Sequence, residues 1–151
     1  MKLALIVFFV AFAANEQADA CQCDQPKNEQ QKICEADFVI SAKVLDRGPC
    51  IERRARRCLK RSYTLKLFWV VKENDKSKQL LKEGDLKIFT AGSRGGLCGF
   101  KMETNVIYLM AGKVSSTDST QLELDQCTSV LVTSSTSERT KLRKVLDECP
   151  K

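Results

Sequence analysis

Apolar residues fall into short bursts separated by polar and turn-forming clusters. Asp37 to Leu45, DFVISAKVL, is β-branched and apolar and runs into Asp46-Arg47-Gly48-Pro49, a turn-forming cluster, so it predicts a strand. Tyr63 to Val71, YTLKLFWVV, alternates at its start and predicts a second, with Trp69 expected in the core. Asp85 to Thr90, Asn105 to Ala111 and Gln121 to Asp125 follow, each flanked by Gly, Asn, Ser or Thr. The period then changes. Leu142, Val145, Leu146 and Cys149 recur at helical spacing behind Ser135-x-x-Glu138, which resembles a capping box, so a helix is expected from about Ser137 to Glu148. Five strands and a helix in so short a chain suit a small barrel better than a sandwich, which usually needs about seven strands. The expected fold is mainly β: a five-stranded, OB-fold-like closed barrel with a C-terminal helix, without repeats or a second domain.

The first twenty residues read as a separate object. Lys2, the apolar run Leu3 to Ala14 and then Ala18-Asp19-Ala20 match the three parts of a secretory signal peptide, with cleavage expected after Ala20. That run is too short to cross a bilayer, which takes roughly 20 residues, and no later run is longer. A bacterial lipoprotein, acylated on the Cys after the cleavage site, is an alternative, but Ala18 stands where Leu is usual. Residues 21–151 are therefore expected as one domain, secreted into the extracellular space or matrix.

Composition narrows the chemistry. The 151 residues include no His, which excludes a Ser-His-Asp triad, a Cys-His dyad and an imidazole zinc site. The chain shows no other nucleophile–base pair, and an enzyme is not expected. All 8 Cys lie beyond Ala20, an even number in an oxidising compartment, which argues for four disulfides; counting alone leaves about 105 pairings open. Losing Lys2, Glu16 and Asp19 with the leader takes the 25 basic and 19 acidic residues to 24 and 17, a distinctly basic product. No Asn-x-Ser/Thr sequon occurs.

Cleavage after Ala20 would place Cys21-Gln22-Cys23 at the very start of the mature chain. In an extended segment Cys21 and Cys23 point the same way, into the body, and Gln22 points outward. A pinned first residue offers its α-amino group and its own carbonyl oxygen at a bite that closes a five-membered chelate on a metal ion. The catalytic zinc of another protein's hydrolase, which keeps one position open for water, would accept that chelate. The amine must be unprotonated, which its ordinary pKa of about 7.7–8 makes inexpensive near neutral pH. The same C-x-C also fits two half-cystines that merely hold down a chain end, and spacing does not separate the readings.

Cys21-Gln22-Cys23, followed by Cys34-Glu-Ala-Asp-Phe-Val-Ile-Ser-Ala-Lys43, resembles the N-terminal, netrin-like domain of the tissue inhibitors of metalloproteinases. Leu97-Cys98-Gly99-Phe100, Tyr108-Leu-Met-Ala-Gly-Lys113, Cys127 and Cys149 continue in the family's order, so the resemblance covers essentially all of 21–151. It implies an OB-like fold with packed helices, and bridges Cys21–Cys98, Cys23–Cys127 and Cys34–Cys149, leaving Cys50–Cys58 as an addition to the usual pattern. It also implies a protease-binding surface of Cys21, Gln22, Cys23, Asp24, Gln25, Gly96, Leu97 and Cys98, with Cys21 on the zinc of the partner protease and Gln22 in its specificity pocket. The resemblance thus implies a secreted inhibitor of extracellular zinc metalloproteinases, monomeric, with no cofactor of its own and neither nucleic acid nor membrane as partner. Two departures bear on selectivity: Gln22 replaces a small or β-branched residue, and Asp24 puts a negative charge where a small residue is common. The sequence ends at Lys151, where the family pattern continues into a second cysteine-rich domain, so docking through that domain is not expected.

Between Cys50 and Tyr63 lie Arg53, Arg54, Arg56, Arg57, Lys60 and Arg61, in the connection between the first two strands. For a secreted protein such a run points to sulfated glycosaminoglycans of the matrix, or to steering toward acidic proteases. The plainer reading is a solvated loop that aids solubility. The alternative function is accordingly a non-inhibitory netrin-like module held on polyanions by this loop. Arg54-Ala-Arg-Arg57 also resembles a dibasic processing site, while Arg94-Gly95-Gly96 reads as a flexible turn.

Overall fold

A computed structural model describes residues 21–82, 84–93 and 97–150; the expected leader lies outside the described residues. The protein is mainly β, with strands β1 (Phe38–Arg54), β2 (Arg57–Glu73), β3 (Asp85–Ala91), β4 (Ile107–Val114), β5 (Leu122–Leu124) and β6 (Val130–Thr133). Helices α1 (Glu29–Cys34), α2 (Asp75–Lys78) and α3 (Thr136–Asp147) complete it. β1 pairs antiparallel with β2 and β4, β2 with β3, and β4 with β5 and β6, while β3 and β5 run parallel. The pairings β1-β2-β3-β5-β4 therefore return to β1, and β6 adds to the outside of β4.

Phe38, Ile40, Ala42 and Val44 of β1 face a core with Tyr63, Leu65, Ile88, Met110, Leu122 and Leu124. The opposite face is buried too: Val39 packs with Ile33 of α1, Leu109 and Ala111 of β4 and Leu142 of α3. Covered on both faces, β1 reads as a nearly continuous apolar run rather than a clean alternation. Ser135 caps α3, its hydroxyl accepting from Glu138 N–H at 3.1 Å, and the helix starts one residue earlier than expected and ends one earlier.

The structure departs from expectation at three places. Asp46 to Pro49 does not end β1, because the ladder breaks and resumes: Arg47 pairs with Tyr63 and Cys50 with Arg61, so Gly48 and Pro49 bulge opposite Ser62. A proline needs no N–H at a bulge, and a Cβ on Gly48 would stand 2.6 Å from the Ser62 hydroxyl. Both strands consequently run on for 17 residues as one long hairpin, whose turn at Ala55-Arg56 has Ala55 at φ 54°. Trp69 is 43% exposed instead of buried. Ser41 pairs with Trp69 but Ala42 with Leu67, so Phe68 is an extra residue that reverses side-chain parity and sends Val70 after Leu67 into the core. The Trp69 ring lies instead under the Arg139 guanidinium of α3 at 4.6 Å. Finally, β6, α1 and α2 went unpredicted, being only four to six residues long.

Candidate functional site

The chain from Cys21 to the start of α1 has no ladder of its own, so cross-links hold it. Cys21 is bridged to Cys98 and Cys23 to Cys127, with Cα separations of 5.0 and 5.5 Å. The bridges lie side by side, with Cys21 Sγ 3.6 Å from Cys127 Sγ and 3.8 Å from Cys23 Sγ. The four sulfurs lie within 4.8 Å of one another, a spacing a metal centre would have, but as cystines they offer no thiolate to an ion. Cys21 and Cys23 are half-buried, whereas Gln22, Asp24 and Gln25 are exposed. Cys34–Cys149 and Cys50–Cys58 are the remaining bridges, so three pairs are those carried over from the resemblance and the fourth joins the two cysteines it left over.

The second segment of the site is the connection after β3. A Cβ on Gly92 would stand 2.0 Å from the Cys58 carbonyl oxygen, and one on Gly99 1.7 Å from that of Ala91. Only glycine permits that approach, which lets Gly92 N–H donate to Leu59 O and Gly99 N–H to Gly92 O, each at 3.0 Å. Phe100 N–H donates to the Thr90 hydroxyl at 2.8 Å. Half-buried Leu97 and Cys98 are thus carried on a connection stitched to β2 and β3, while Gly96 lies outside the described residues.

Gln126 joins this segment to the third. Its N–H donates to Cys98 O at 2.8 Å and its side-chain amide to Gly99 O at 2.7 Å. Its own carbonyl accepts from the Lys32 ammonium of α1. Asp125 holds the next residue, accepting from Cys127 N–H at 2.8 Å. Gln126 carries no motif and went unpredicted; the glycines were visible only as punctuation. Behind the site Lys72 donates to Cys34 O at 2.7 Å, and burial lowers its ammonium pKa against the opposing pull of the Asp37 carboxylate.

The basic run is part of the β1–β2 hairpin rather than a loop. Arg53, Arg54, Arg56 and Arg57 are exposed around its turn. Lys60 points away from them, pairing with Glu123 at 3.0 Å and Gln121 at 2.7 Å above the Phe89 ring. Arg61 donates to Gly48 O at 2.5 Å.

The family model described as tissue inhibitor of metalloproteinase matches residues 19–149, and the chain belongs to that family. A fruit-fly protein (Drosophila melanogaster) called tissue inhibitor of metalloproteinase is 24% identical over 114 residues, covering 76% of this chain and 49% of that protein. The chain thus spans about half the length of the curated relative it matches. As a class the family consists of metalloproteinase inhibitors rather than enzymes.

Proposed function

We propose that this protein is a secreted inhibitor of extracellular zinc metalloproteinases. The observation that carries the reading is the pair of adjacent bridges that pins Cys21 and Cys23 and leaves Gln22 exposed between them. Removal of residues 1–20 would free the Cys21 amine, which with the Cys21 carbonyl closes a chelate on the protease's zinc and displaces its water. Gln22 then enters the specificity pocket, Asp24 and Gln25 continue along the cleft, and Gly96, Leu97 and Cys98 flank them. The zinc belongs to the partner; the inhibitor brings no cofactor and acts as a monomer. The Cys21–Cys98 bridge makes the two segments one body, so little ordering cost remains to be met on binding. The ring of strand pairings supports an OB-like barrel as the rigid support behind that edge.

The test is competitive inhibition of a panel of zinc metalloproteinases by refolded protein beginning at Cys21. Inhibition of at least one member that rises as substrate is lowered is the expected result. No inhibition anywhere, with four disulfides verified by mass, would overturn the reading and leave the matrix-binding alternative.

A further inference from the structure

Three of the six cations in the basic run turn toward one place. Arg56, Arg57 and Arg61 line an open groove of about 340 Å³, with Arg47 from the bulged part of β1 and Lys101 from the connection before β4. Arg47 and Lys101 lie outside the run, and only the fold groups them with it. None of the five forms an ion pair among the described residues, and no described acidic residue lines the groove. Half-buried Phe100 adds ring surface to the groove, whose floor reaches the buried Tyr63. Arg53, Arg54 and Lys60 do not line it, and Lys60 is already neutralised by Glu123.

Five cations without an acidic partner on one concave surface focus a positive potential there that attracts an anion. Guanidinium groups present paired N–H donors that match the oxygens of a sulfate. The disulfides and the expected leader put the protein in the secretory route, where sulfated polysaccharides are the abundant polyanions. We propose that this groove, rather than the basic run as a whole, is a binding site for a sulfated polysaccharide chain. The proposal deepens the polyanion reading and is independent of protease inhibition, because binding is measured with no protease present. Residues 21–25, 97 and 98 do not line the groove, but Gly92, Ser93 and Phe100 of the connection that carries Leu97 and Cys98 do, so the groove adjoins the inhibitory edge without including it.

The experiment measures affinity for a size-defined heparin octasaccharide by calorimetry in about 0.1 M salt, where exposed charges still act. Arg47→Gln/Arg57→Gln/Lys101→Gln is compared with Arg53→Gln/Arg54→Gln/Lys66→Gln, a set with the same loss of charge and, like the first, only exposed positions. The groove set should weaken binding by at least about tenfold and the control set by less than about threefold. Desulfated heparin should not bind. Losses within threefold of each other would overturn the proposal in favour of diffuse charge. It is equally overturned if the parent protein fails to bind, or binds desulfated heparin as well as the sulfated chain. Metalloproteinase inhibition by the groove variant, assayed separately, should equal the parent's.

Discussion

Cys21→Ala/Cys98→Ala removes the bridge that joins the two segments of the inhibitory edge but leaves both chelating atoms in place, since the amine and carbonyl of residue 21 are backbone. Cys23 remains tied to Cys127, so the freed stretch is residues 21 and 22. Ordering one backbone residue costs about 1–2 kcal/mol, so re-ordering two on the protease should weaken binding by about 2–4 kcal/mol, or roughly 30- to 700-fold in Ki. Stability falls as well. With Cys23–Cys127 intact the lost bridge closes a loop of roughly 31 residues, 2 from Cys21 to Cys23 and 29 from Cys98 to Cys127, worth about 3.7 kcal/mol. Ki against a quenched peptide substrate, measured beside the guanidinium unfolding midpoint, separates weaker binding from unfolding. A folded double variant whose Ki stays within threefold of the parent's would refute preorganisation by this bridge.

Ser41 is fully buried, and its hydroxyl has no hydrogen-bond partner among the described residues. Ser41→Ala should therefore raise unfolding free energy by about 1 kcal/mol in denaturant titration, and a loss of stability would show that the hydroxyl is satisfied. Ala55 holds a positive φ of 54° at the first central position of a two-residue hairpin turn, where glycine is preferred. Ala55→Gly should stabilise the protein by about 0.5–1 kcal/mol, read from the thermal midpoint, and an unchanged or lower midpoint would contradict the strain argument.

Elements bearing a strong periodic or cross-linked signal were legible in the sequence. The apolar run Phe38 to Val44, the capped terminal helix and the even cysteine count each follow from local chemistry that tertiary packing did not override. Bulges were not legible, because a one-residue insertion leaves no local mark yet inverts every side chain beyond it; Trp69 was misplaced for that reason. Gly48-Pro49 failed in the same way, since turn residues and bulge residues are chemically alike. At the candidate site, Cys21, Gln22, Cys23 and Cys98 were readable from the resemblance. The supports from Gln126, Gly92 and Gly99 were not, because they act through backbone groups far away in sequence. The basic run showed its charge but not its division: three members turn to the groove while Lys60 turns to Glu123.

Zinc chelation by this protein requires a free amine at Cys21. The most direct measurement is the Ki of protein beginning at Cys21 beside the same protein with one additional Ala before it, both with four disulfides verified. The extra residue converts the amine into an amide that cannot chelate, without touching any side chain or bridge. Inhibition by the first form and its loss by about a thousandfold or more in the second is the predicted result, in line with loss of a direct zinc ligand. Equal inhibition by the two forms would contradict chelation through the amine and move the inhibitory contact elsewhere on the surface.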